Sequence, residues 1–76
     1  MARLIKEIAQ EIKSKWVKPS PFALPYLNAM LQLDTIDDHY YLDTAEEVVL
    51  YFLCNATSFR GEDARRLKKE LKDLIK

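Results

Sequence analysis

Seventy-six residues, 49% hydrophobic and 11% aromatic, are enough for one domain with a small core, and that composition excludes a disordered chain. Twelve basic and twelve acidic side chains cancel, so no net field draws the molecule toward nucleic acid or a membrane. With one cysteine, one histidine and one glycine, a disulfide, a zinc site at ligand spacing and a glycine-rich phosphate loop are excluded.

Leu4 or Ile5, Ile8, Ile12 and Trp16 recur at helical spacing, with Arg3, Lys6, Glu7, Gln10 and Lys13 on the opposite face. This predicts a first helix from about residue 2 to about residue 16, supported by Glu11 four residues ahead of Lys15. Pro19 and Pro21 end it. Ser20 reads as an N-cap, while Pro25 moves the regular part of a second helix to a start near Ala23, with Pro25 in its first turn. Tyr26, Leu27, Met30, Leu31 and Leu33 form its apolar stripe, and it ends about Leu33.

The stretch DTIDDHYYLD, rich in turn-forming aspartate, predicts a connector holding one short turn around Ile36–Tyr40. Thr44 and Glu47 match a capping box, with Asp43 adding charge at the positive helix end, and predict a third helix from about Thr44 to about Ala56. Ala45, Val48, Val49, Phe52, Leu53 and Ala56 make a broad stripe, and Leu50, Tyr51 and Cys54 add apolar groups around the rest of it. A helix apolar nearly all round is buried on more than one side, here as the centre of a bundle or as a subunit contact. Ser58 or Gly61 starts the fourth helix, with Ala64, Leu67, Leu71 and Leu74 inward and Ile75 beside them. The expectation is an all-α, single-domain bundle of about four helices over residues 1–76, the third helix central.

Charge is segregated along the chain. Residues 1–33 sum to +3, residues 34–50 to −6, and residues 51–76 to +3. On the fourth helix Glu62, Arg66, Glu70 and Asp73 read as a solvated ladder of ion pairs. Arg65, Lys69, Lys72 and Lys76 run along the other flank without an acid, and Lys68 and Arg60 lie nearby. Arg60, Arg65, Lys68, Lys69 and Lys72 are therefore the candidate nucleic-acid or anion contacts. Against a helix–turn–helix reading, Glu62 and Asp63 occupy the helix start where base-reading groups belong.

The acidic connector fails as a calcium loop: counted from Asp34, its third, sixth and twelfth positions are Ile36, His39 and Ala45. Cys54, on the most apolar helix, reads as a buried, inert thiol. His39 has no Ser or Cys partner at a recognisable spacing, and no catalytic residue, metal ligand, cofactor or small-molecule substrate is predicted. Tyr40, Tyr41 and Tyr51 are the candidate protein contacts. The lone cysteine and the absence of signal-peptide features predict a cytoplasmic setting, and the seven-residue run Val48–Cys54 is too short to span a bilayer.

The stretches PYLNAM and YFLCNATSFRGEDARRLKKELK resemble a family of short helical proteins encoded by phages, prophages and conjugative elements. Phe59 stands where that pattern more often has Trp. The resemblance implies a bacterial mobile-element origin and carries no assigned chemistry. Physically, the motif reads as a corner: Asn55 ending one helix, Phe59 plugging the bend, Arg60-Gly61 turning the chain, and Ala64 admitting close approach of the third and fourth helices. A non-enzymatic protein-interaction or structural module is expected, possible as a homodimer, with accessory nucleic-acid binding as the alternative.

Overall fold

The computed structural model describes residues 3–75. Along them run α1 (Ile5–Lys15), α2 (Leu24–Met30), β1 (His39–Tyr40), β2 (Asp43–Thr44), α3 (Ala45–Asn55) and α4 (Glu62–Leu74). All four helices stand where apolar spacing placed them, shorter by a few residues. Residue 2 at the start of the first predicted helix, and Lys76 of the basic strip, lie outside the described residues.

The start of α1 is fastened to the chain that follows α2. The Ile5 and Lys6 N–H groups donate to the Asp34 and Leu33 carbonyls, both at 2.9 Å, and the Leu4 N–H donates to Glu7 Oε1 at 2.9 Å. Donors that a helix N-terminus leaves unpaired are thereby satisfied. Pro25 lies in the first turn of α2, where its missing N–H removes no intrahelical bond. Ser20 caps the turn just before it, its carbonyl accepting from Ala23 and Leu24 and its Oγ from the Phe22 N–H.

The connector folds more tightly than its composition predicts. The Asp38 carboxylate accepts from the Asp34 N–H at 2.8 Å and the Thr35 N–H at 3.1 Å, which holds its carboxyl below the usual range. Beyond it comes a hairpin absent from the all-helical expectation: His39 pairs with Thr44 and Tyr40 with Asp43, antiparallel, around the two-residue tip Tyr41-Leu42. The predicted capping box forms, the Glu47 N–H donating to Thr44 Oγ1 at 3.1 Å and the Thr44 N–H to Glu47 Oε1 at 3.2 Å.

Successive helices run back and forth between two ends. At one, the α1 start meets the connector, and the Ala45 N–H opening α3 donates to the Asp38 carbonyl at 2.8 Å. At the other, reached about 17 Å along α1 at helical rise, Trp16 stacks on Phe59 with ring centroids 5.1 Å apart. Phe52 meets Trp16 edge-on at 6.1 Å. The predicted corner is thus an aromatic cluster in the core. Gly61 enters α4 at φ +110°, a conformation that side-chain-bearing residues rarely adopt.

Ile5, Ile8, Ile12, Leu27, Phe52 and Leu67 are fully enclosed, and among the described residues no polar or charged residue is buried. Two expectations are corrected. Only Ala45, Val48, Val49 and Phe52 of α3 are buried; Leu50, Tyr51 and Cys54 face outward, so its second apolar side is open and Cys54 is an exposed thiol. The principal neighbour of α4 is α1 rather than the α3 expected from the corner motif; Ala64 is buried all the same.

Candidate functional site

The basic flank of α4 is not a uniform strip. Arg66 and Glu70 keep the i,i+4 pair of the predicted ladder at 3.6 Å and also bridge to α1 and to Arg3 just ahead of it. Arg66 pairs with Glu11, and with Asp63 at 3.2 Å; Arg3 holds Glu11 at 2.7 Å and Glu70 at 2.6 Å; Lys15 reaches Asp63 at 3.9 Å. Arg3, ahead of α1, pairs late in α4, and Lys15, at the end of α1, pairs early in it, as antiparallel packing requires. Arg66, then Arg3, hold the Glu11 carboxyl down to about 2.

Lys68 is also engaged. Its ammonium donates to the Phe59 carbonyl at 2.7 Å and stands 5.8 Å from the Phe59 ring centroid. Burial, then the neighbouring charges of Lys72 and Arg60, push its pKa down. Arg60 donates to the Thr57 carbonyl at 3.3 Å. Arg60, Arg65 and Lys68 together rim a depression of about 330 Å³ whose remaining walls are Phe59, Gly61 and Ala64. No carboxylate lines it. Lys69 belongs to a different groove of about 460 Å³, where Glu62, Glu70 and Asp73 offset it together with Arg65 and Arg66. Of the five predicted anion contacts, three therefore converge, Lys72 lies near enough to act on Lys68, and Lys69 faces mixed charge.

The three predicted protein contacts occupy two places. Tyr40 packs partly against the core and meets Tyr41 edge-on, with centroids 4.7 Å apart. Tyr41 is 85% exposed and Leu42 98% exposed at the hairpin tip. Tyr41 takes the left-handed conformation at φ +58°. Tyr51 sits apart from this pair, on the outer side of α3 against Tyr26 of α2 at 5.5 Å. Leu42 and Phe22 are also exposed, which the sequence does not signal, since apolar residues in turns carry no periodicity that separates exposed from buried.

Comparison with protein families, curated proteins and solved structures finds no match for this chain. Two local features are left to judge it by: an apolar hairpin tip at one end, and an acid-free basic depression at the other. Carboxylates flank the tip. Asp34 is neutralised by Lys6 at 3.0 Å, and Asp38 and Glu47 are used in the turn and the helix cap. Asp37, Asp43 and Glu46 make no ion pair among the described residues. Among those residues no group of three or more His, Cys, Asp or Glu is arranged to hold a metal ion, and no helix is long and apolar enough to cross a membrane.

Proposed function

We propose that this chain is a non-enzymatic protein-interaction module whose contact point is the hairpin tip Tyr41-Leu42. The observation that carries the reading is the combination of exposure and backbone strain at one position. A two-residue hairpin with positive φ only at its first tip residue is ordinarily served by glycine there, and a side-chain-bearing residue in the left-handed region costs about 1–2 kcal/mol. Here that position holds a tyrosine, 85% exposed, followed by a leucine more exposed still. Neither side chain is retained for the core. Strain kept at an exposed aromatic is a pointer to recognition, and tyrosine suits an interface because it offers large contact area with few rotatable bonds.

Replacing the tip by Tyr41→Gly and Leu42→Ser tests it. Relief of strain offsets loss of the Tyr40–Tyr41 contact, so the hairpin survives while the surface is removed. Protein retained by the wild type and lost by the variant, on purification from the native cell, is the expected result; identical retention by both sinks the reading. A bacterial mobile-element origin rests on the Tyr51–Lys72 motif and is part of the same proposal, as is a cytoplasmic setting.

A second reading is accessory nucleic-acid binding through Arg60, Arg65, Lys68 and Lys72, favoured by the acid-free depression. Phosphate contacts weaken steeply with salt. A gel-shift titration at low salt that retards neither duplex nor single strand removes it.

A further inference from the structure

We infer that the hairpin tip of one copy of this chain seats in the basic depression of a second copy. The inference rests on the tip being a contact surface, and it names the occupant by complementarity within the molecule itself. The tip offers Tyr41 and Leu42, both standing clear of the domain, and the unpaired carboxylates Asp37, Asp43 and Glu46 belong to the same end. The depression offers about 330 Å³, room for one large side chain, with Phe59 and Ala64 in its apolar wall and a cationic rim of Arg60, Arg65 and Lys68. Beside Gly61 nothing stands within 4 Å of where a Cβ would be, so the approach there is open. An aromatic ring entering between guanidinium and ammonium groups gains cation–π attraction in addition to burial.

The net charge of zero has a physical meaning on this reading. A uniformly neutral surface gives no orientation to encounter, whereas opposite charges at opposite ends steer two copies head to tail. Both surfaces are formed by the same fold. The hairpin leads directly into α3, whose first N–H donates to the Asp38 carbonyl, and the depression is built around Phe59 beyond the other end of α3, beside Trp16. One copy therefore cannot satisfy its own tip. A tip and a depression on each copy make the contact heterologous, so association continues with concentration unless a ring closes. A contact of one or two side chains lies at the weak, transient end of protein interfaces.

Charge reversal in pairs provides the test. One variant carries Asp37→Lys and Asp43→Lys, the other Arg60→Glu and Arg65→Glu, all at exposed positions. Thermal melts verify folding; if Asp43→Lys opens the hairpin, Glu46→Lys replaces it. Sedimentation of the wild type up to about 1 mM in low salt is expected to give a mass rising above 8.9 kDa with concentration. The rise should disappear in about 0.5 M salt, where screening acts within several ångströms. Each variant alone should stay monomeric, its tip and depression now alike in sign. Mixed, the two should associate again, because the intact depression of the first meets the intact tip of the second.

A wild type that stays monomeric overturns the inference, as does association that both reversed variants retain. Nucleic acid retarded by a monomeric wild type and not by the Arg60→Glu, Arg65→Glu variant assigns the depression to phosphate instead. Failure here is separable from failure of the tip reading: a monomeric wild type whose Tyr41→Gly, Leu42→Ser variant loses a different protein keeps the tip and discards the second copy.

Discussion

Replacing Phe59 by leucine tests whether the aromatic corner is structural. Phe59 is 4% exposed, its ring 23° from parallel to Trp16 at 5.1 Å, with the Lys68 ammonium 5.8 Å from its centroid. Leucine keeps most of the buried apolar area. It forfeits the ring stack, about 0.5–1.5 kcal/mol, the cation–π contact, about 0.5–1 kcal/mol, and some packing where the ring stood. The expected loss is about 2 kcal/mol, a large fraction of what a core of this size supplies. For a chain of 76 residues that corresponds to a fall in melting temperature of roughly 8–16 °C. Far-UV circular dichroism follows the helices, and the fluorescence of Trp16, the single tryptophan, follows the corner. Both probes should shift together. A drop below about 3 °C in both would mean that the Trp16–Phe59 stack contributes nothing to stability, and the reasoning from packing at this end would be wrong.

Acid stability should depend on Glu11. Its carboxyl, held near 2 by Arg66 and Arg3, titrates near 4.3 when unfolded, so the unfolded chain takes up the proton first on acidification. Stabilisation from this group is complete above the unfolded value and drains away as the pH falls toward 2. Melting temperature against pH should therefore be flatter on the acid side for Glu11→Gln than for the wild type, and parallel curves would remove the group from the account. Cys54 should react fully with a thiol-specific chromogenic reagent in native buffer, as its exposure requires; a thiol that needs denaturant would return it to the interior.

The helices were legible because period and caps agree. Ile5, Ile8 and Ile12 repeat on one face and are buried; Thr44 and Glu47 cap as their spacing demands; Phe59 fills the corner. The hairpin was not legible. His39–Thr44 is too short for alternation to show, and its tip is Tyr-Leu where Asn-Gly or a leading glycine marks such a turn. Apolar residues around α3 imply burial on more than one side, in the bundle or against a subunit, yet sequence counts apolar groups without saying which find a neighbour within the fold. Leu50 and Tyr51 remain 43% and 45% exposed, as surfaces short of polar cover allow.

The basic flank illustrates a different limit. Spacing along one helix reveals which charges share a face, but their partners are set by the helix packed alongside and by how far it is rotated and displaced. Arg66 and Glu70 look alike from α4 alone, members of one solvated ladder; the antiparallel approach of α1 ties both into a cluster with Arg3 and Glu11. Lys68 looks like its neighbour Lys69, but the Phe59 carbonyl takes the one, while the other lies in a groove of mixed charge. What a partner meets is the charge left after such pairings: carboxylates at Asp37, Asp43 and Glu46 near the hairpin, guanidinium and ammonium groups at Arg60, Arg65 and Lys68 around the depression. A chain neutral by count thus carries unlike charge at its two ends, and it is on that residual polarity that the proposed head-to-tail contact of two copies rests.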